Sequence, residues 1–300
     1  MARTARWPYS VRPHEARCPE LLTTSGYGRL SLFRDPASLD RERARELAVR
    51  NLEARGSSAD EIAARAQYLD LLGLRPGQRV LDVGCGSGVV TRDMARRVLP
   101  GGRAVGVDLG VEFLTIAREL AREAGLDAVT EFHEGSALAL PFGAGEFDVA
   151  VAATVLVHVP GGDGAIAEMV RVVRSGGRVG IFDFDGDSIM ISHPDRVLTR
   201  RIVAAFSDHS AVDSWLVRRL PGLLRRAGLA EVAVRAFLPL EEEADGFYAR
   251  MAMRAAEVAA EAGAITVVER DEWLAGLRAE QAAGNFLGGR AHMFCWGVKV

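Results

Sequence analysis

The stretch from Val80 to Gly88, VLDVGCGSG, limits the possible folds most, because a short apolar run there meets three closely spaced glycines. Glycine permits tight turning and a close approach of backbone to a ligand. A helical pattern follows, and the start of a helix presents unpaired N–H groups. In an open α/β sheet, the carboxyl ends of the strands are where ligands bind. The turn alone fits a dinucleotide fingerprint or a plain tight connection. Spacing separates them: the dinucleotide pattern needs its third glycine three residues after the second. Here Gly88 comes early after Gly86, and Val89 stands where that glycine would be. Asp82 lies inside the strand before the turn, awkward opposite a pyrophosphate but suited to a ligand with an ammonium group and a sulfonium.

The unit repeats along the chain. Arg79–Val83, Ala104–Val107, Val129–His133, Phe147–Ala153 and Arg178–Phe184 read as strands. Helices fall between them, to about Val98, to near Gly125, and from about Gly164 to Val173. The apolar runs are continuous, as in strands covered on both faces. Repeated strand–helix–strand units demand right-handed crossovers and hence a doubly wound sheet. Upstream, Asp40–Arg55 reads as a helix, and a second begins at Ser58, with Glu61 three residues on, and ends before Gly73. Downstream come a helix over Trp215–Ala227, a strand over Glu231–Phe237, an amphipathic helix from Glu241 to about Gly263, and a last strand over His292–Val300.

Composition narrows the function. The 300 residues are 49% hydrophobic and 26% charged, fitting one large α/β domain with additions. A formal net charge of −3 gives no electrostatic case for a nucleic-acid partner. The basic clusters at Arg41, Arg43 and Arg45 and at Arg200 and Arg201 read as solvated helix faces. Cys18, Cys85 and Cys295 are odd in number and far apart, without a CxxC pair, so neither a disulfide framework nor a zinc site is expected. No signal peptide or membrane-spanning run is read, and the expected setting is the cytoplasm.

Asp108 ends the second strand, where a carboxylate accepts hydrogen bonds from both ribose hydroxyls. With LRPGQRVLDVGCGSG (Leu74–Gly88), PGGRAVGVD (Pro100–Asp108), LPFGAGEFDVAVA (Leu140–Ala152) and MVRVVRSGG (Met169–Gly177), it resembles the class I S-adenosylmethionine-dependent methyltransferases. The likeness is to the small-molecule group that includes ubiquinone/menaquinone-type and natural-product methyltransferases. It implies a Rossmann-like, doubly wound seven-stranded α/β sheet, mostly parallel, with the last strand antiparallel between the fifth and sixth. It also implies S-adenosylmethionine as cofactor and a small-molecule acceptor. By position, Gly84, Cys85, Gly86 and Gly88 would hold the methionine part and Asp82 its amino group. Asp108 would bind the ribose, Leu109 the adenine face, Gly135, Ser136 and Ala137 the adenine border, and Thr154 the methionine side. The family usually has Asp where Ser136 stands, and a hydroxyl accepts less strongly than a carboxylate.

The chemistry asks for alignment and water exclusion more than for a nucleophilic side chain. His158, after the fourth strand, is the first candidate base, and His209 the second. Asp183, Asp185 and Asp187 alternate at the end of the fifth strand, and Asp185 is expected to face the acceptor rather than a metal. Residues 1–60 are expected as an arm with helices, acting as lid or dimer contact through Trp7, Tyr9, Tyr27 and Phe33. Residues 61–300 form the cofactor domain, with a helical insertion at about 240–283. Monomer and homodimer both fit. A non-methylating protein of the same fold and an NAD-dependent oxidoreductase are the rival functions, with early Gly88 against the latter.

Overall fold

Strand β1 (Arg79–Val83) lies inside the sheet in the computed structural model, which describes residues 36–300. It is flanked in parallel by β2 (Arg103–Asp108) and β4 (Phe147–Ala153), so Leu81 stands between Val105 and Ala150. β3 (Thr130–Glu134) pairs with β2 and β5 (Val173–Phe184) with β4, both in parallel. β10 (His292–Lys299) runs antiparallel between β5 and β7 (Leu229–Phe237). The order is β3-β2-β1-β4-β5-β10-β7, the seven-stranded sheet expected, with its last strand inserted as the resemblance implied. β5 begins before Arg178. Its register jumps from Val173 opposite Phe147 to Arg178 opposite Val149, so Arg174–Gly177 bulge out, with Gly176 at φ 75°.

Alternate residues of the apolar strands serve two different cores. On one face Val80, Val149 and Phe182 meet Leu69 and Leu72 of α3 (Ala59–Leu72) and Met94 of α4 (Val89–Val98). On the other, Leu81, Ala150 and Ile181 meet Met169 of α6 (Gly162–Val172) and Leu220 of α8 (Leu216–Arg226). Each such large buried side chain contributes roughly 1.5–3 kcal/mol. Beside them α5 (Val111–Glu123) packs Leu114 and Ala117 on Phe132. The α3 boundaries follow from local chemistry. The Ser58 side chain accepts the Glu61 N–H, and Gly73 closes the helix in the left-handed conformation at φ 63°.

Two segments depart from the sequence reading. The helix expected over Asp40–Arg55 is α1 (Arg41–Leu47, capped by Asp40), a π-helical stretch over Ala48–Glu53, and α2 (Ala54–Gly56). Tertiary hydrogen bonds hold this irregular course: Glu53 accepts from Ser87 Oγ (2.7 Å) and Arg92 Nη2 (2.8 Å), and the Gly56 carbonyl accepts from Arg65 Nη2 (2.9 Å). The insertion contains α9 (Phe247–Glu261) and α10 (Val267–Ala282), and both pack on α7 (Arg196–Ser210). Their shared core includes Ile202, Phe206, Ala252, Ala256, Trp273 and Leu277, and it is separate from the cores on the sheet. A small sheet, β6 (Met190–Ile191), β9 (Gly288–Gly289) and β8 (Leu240–Glu241) in that order, ties its ends together. Trp7, Tyr9, Cys18, Tyr27 and Phe33 lie outside the described residues. Among the described residues, no helix is long and apolar enough to cross a membrane.

Candidate functional site

The carboxyl ends of β1, β2, β4 and β5 open onto a cavity of about 270 Å³. The glycine turn forms its floor. Gly84, at φ 71°, and Cys85 donate their N–H groups to the Val107 carbonyl at 2.7 and 3.0 Å, which curls the chain back over β2. A Cβ on Gly84 would lie 2.5 Å from Val155 Cγ1, so both conformation and space demand glycine. Gly88 at φ 81° does not line the cavity; its Cα faces Phe132 and Ala117, and it packs the turn against β3 and α5.

Asp82 shares the β1 face of Val80 and therefore turns toward α4, where Thr91 Oγ1 donates to it at 2.6 Å. It is 2% exposed. Burial pushes its carboxyl up to about 7, against the pull of the Thr91 hydrogen bond, and the nearby Asp108 adds to the rise. The two Asp108 oxygens accept the Gly86 and Gly110 N–H groups at 2.9 and 2.8 Å. Burial raises its pKa too, while these backbone donors oppose the rise. Each oxygen keeps a further lone pair for a ligand hydroxyl.

Leu109 presents a half-open apolar surface beside Gly135, Ser136 and Ala137. Ser136 Oγ accepts the Leu138 N–H at 3.2 Å and can accept once more. Across the cavity, Thr154 sits at φ 57°, a left-handed conformation that costs on the order of 1–3 kcal/mol for such a residue. Its Oγ1 donates to the Ala153 carbonyl (2.7 Å) and accepts from Arg55 Nη2 (2.8 Å), which holds it there. His158 closes the short turn after β4 and lines the same cavity. Burial, then the positive charges of Arg290 and Arg55, lower its pKa to about 4, so its ring is neutral at neutral pH.

The structure thus gathers Asp82, Gly84, Cys85, Gly86, Asp108, Leu109, Gly135, Ser136, Ala137, Thr154 and His158 around one cavity. It does not bring Asp185 or His209 to it. The Asp185 carboxylate is gripped by Arg218 Nε and Nη2 at 2.7 and 2.8 Å and caps the Gly186–Ser188 turn, which occupies it structurally. His209 is in the last turn of α7, within the helical cap. Asp183 accepts the Val157 N–H at 3.2 Å, and Asp187 accepts from Ser207 Oγ at 2.6 Å.

Sequence reading missed Arg55, Glu61, Arg65 and Tyr68, all of which line the cavity. A signal existed for three of them, since Glu61, Arg65 and Tyr68 follow i, i+4, i+7 spacing and share one face of α3. Phe182 and Phe184, the outer end of β5, complete the wall, and no residue of 240–283 lines it.

Residues 80–177 match the family described as a methyltransferase domain. A 37.1 kDa protein of transposon TN4556 from Streptomyces fradiae is 34% identical over 223 residues, 74% of this chain and 63% of that protein. The ubiquinone/menaquinone biosynthesis C-methyltransferase UbiE of Pseudomonas paraeruginosa is 35% identical over 120 residues, 40% of this chain and 47% of that enzyme. The chain therefore spans about half to under two thirds of the length of these curated relatives. The crystal structure of the YcgJ protein from Bacillus subtilis superposes with a TM-score of 0.55 over 79% of this chain and 98% of that one, and at 19% identity it speaks to the fold alone.

Proposed function

We propose that this chain, whose residues 80–177 are a methyltransferase domain of the class I, S-adenosylmethionine-dependent kind, transfers a methyl group to a small-molecule acceptor held beside His158. The observation that carries the reading is one cavity with carboxylates of two surroundings at its floor. Asp82 is buried at its base, and Asp108 is held by backbone N–H groups at the next strand end. S-adenosylmethionine supplies an already activated methyl group on a sulfonium.

The residues present fit that cofactor. The bare backbone of Gly84–Gly86 would admit its methionine part, and Asp82 would lie on the side of its ammonium. The spare Asp108 lone pairs would take the ribose hydroxyls, Leu109 would pack on the adenine, and Ser136 and Ala137 would border it. Thr154, whose Oγ1 accepts from Arg55 Nη2, would stand on the methionine side. Small-molecule rather than macromolecular acceptors agree with the cavity of about 270 Å³ and the net charge of −3. The segment from Leu52 to Gly56, anchored through Glu53 and Arg55, is positioned to act as a lid.

His158, neutral and weakly basic, serves better to orient the acceptor by hydrogen bonding than to strip a high-pKa proton. Alignment and water exclusion then supply the rate. The reading is tested by incubating the full chain with S-adenosylmethionine and a library of small hydroxyl, enol and amine metabolites. A product heavier by one methyl, with matching S-adenosylhomocysteine, is expected. Cofactor binding without any methylated product across the library would sink the transferase reading.

A further inference from the structure

Glu61 and Tyr68 stand on one face of α3, two turns apart, and both line the cavity. Tyr68 is 2% exposed and Glu61 8%. Neither the Tyr68 hydroxyl nor either carboxylate oxygen of Glu61 has a hydrogen-bond partner among the described residues. None of these three atoms is sealed from solvent, so they open onto the cavity. Among the described residues Glu61 makes one ion pair, with Arg55, whose Nε stands 3.7 Å from Oε1, beyond hydrogen-bond reach. Holding a carboxylate and a phenol so deep without hydrogen bonds costs free energy, and a ligand that supplies the partners recovers it.

The sheet order places Tyr68 at the end of the cavity away from Asp108. β5 lies two strands from β1, on the side opposite β2. The Tyr68 ring stacks on Phe182 of β5 at 4.8 Å and on Phe294 of β10 at 5.2 Å, which fixes the phenol over the outer end of β5. Phe182 and Phe184 give that end of the cavity an apolar wall. Burial holds the phenol well above its ordinary range, so it keeps its proton and donates it in a hydrogen bond. A carboxylate only accepts. Seven residues of helix set the two Cα atoms roughly 10 Å apart, so the two groups meet separate polar atoms of a ligand.

We propose that Glu61 and Tyr68 select the methyl acceptor at two points: Glu61 accepts a hydrogen bond from its hydroxyl or amine, and Tyr68 donates to a second, oxygen-bearing group. The frame between those groups lies against Phe182 and Phe184 and is accordingly apolar. The acceptor is thus a small molecule polar at two separated positions, rather than one with a single polar end. This rests on the methyl-transfer reading above, because it assigns the acceptor side of that cavity.

The test is a ligand-observed NMR titration of the full chain saturated with S-adenosylhomocysteine. The probes are 4-hydroxyacetophenone, 4-aminoacetophenone, 4-methoxyacetophenone (which lacks the donor) and 4-ethylphenol (which lacks the carbonyl). The hydroxyl or the amino ketone is expected to bind about fivefold or more tightly than the methoxy ketone, and the pair shows which donor Glu61 prefers. The hydroxyl ketone is also expected to bind about threefold or more tightly than 4-ethylphenol. Glu61→Gln is expected to erase the first preference and Tyr68→Phe the second, while S-adenosylhomocysteine affinity stays within about twofold in both. Tyr68→Phe keeps both ring stacks and removes only an unpartnered hydroxyl, so its melting temperature is expected not to fall. Should Glu61→Gln fail to fold, the four probes on the unaltered chain decide alone. Equal binding of the probes, no binding of any, or preferences unchanged in the variants would overturn the assignment alone. So would a loss of about tenfold in S-adenosylhomocysteine affinity in either variant, which would move that residue to the cofactor side. Failure of S-adenosylhomocysteine to bind the unaltered chain would overturn the cofactor reading and this one with it.

Discussion

Asp82 is where burial in the fold and the proposed ligand chemistry meet. Its carboxyl titrates near 7 in the folded chain, above the value of about 3.9 it has when unfolded. Between those values the folded protein holds a proton that the unfolded chain releases, so this group's contribution to stability falls as pH rises through that window. A cationic ligand reverses the preference by stabilising the ionised form. Affinity for S-adenosylhomocysteine is therefore predicted to weaken as pH drops from 7 to 5, by up to about tenfold per unit. Asp82→Asn is predicted to flatten that slope, and calorimetry at pH 5, 6 and 7 measures it; an equally steep slope in the variant would remove Asp82 from the role. Asp82 and Asp108 were legible in sequence because their place is fixed by strand ends. Arg55 was not, because only tertiary folding brings α2 to the strand ends. Asp185 misled because an alternating acidic run does not reveal that Arg218, thirty-three residues on, grips its carboxylate.

Among the elements, strands were read well where both faces are covered, because burial leaves few polar interruptions. Arg79–Val83 and Phe147–Ala153 have the bounds expected from their apolar runs. The start of β5 was missed because Arg174 and the glycines beside it look like a turn, yet they form a bulge between the paired Val173 and Arg178. The helical cap was only partly visible. α10 buries just Trp273 and Leu277, too few apolar positions to write a helical period. Those two anchors carry much of its attachment: Trp273 is 1% exposed, donates Nε1–H to Thr199 Oγ1 at 2.9 Å, and stacks on His193. Trp273→Ala is predicted to destabilise the cap by roughly 3–5 kcal/mol, read as earlier unfolding in urea. Cofactor affinity is predicted to change little, since no cap residue from 240–283 lines the cavity. A large loss of cofactor affinity at low urea would mean that the cap and the sheet act as one unit.

For the whole molecule, the sheet order places two chemically distinct ends at one cavity. The glycine turn, Asp82 and Asp108 stand at one end, and His158, Phe182 and Phe184 at the other. The fold and its cofactor end were written in local motifs, so sequence carried them. The other end is assembled from α2, α3 and the outer tip of β5, which no single motif spans. The central claim is that the cavity takes S-adenosylmethionine and not a dinucleotide. Calorimetric titration of the full chain with S-adenosylhomocysteine and separately with NAD tests it most directly. The account predicts one-to-one binding of S-adenosylhomocysteine and no binding of NAD. It also predicts a loss of roughly tenfold to a hundredfold in Asp108→Ala, the worth of charge-assisted hydrogen bonds to the ribose. Binding of NAD with none of S-adenosylhomocysteine would contradict it.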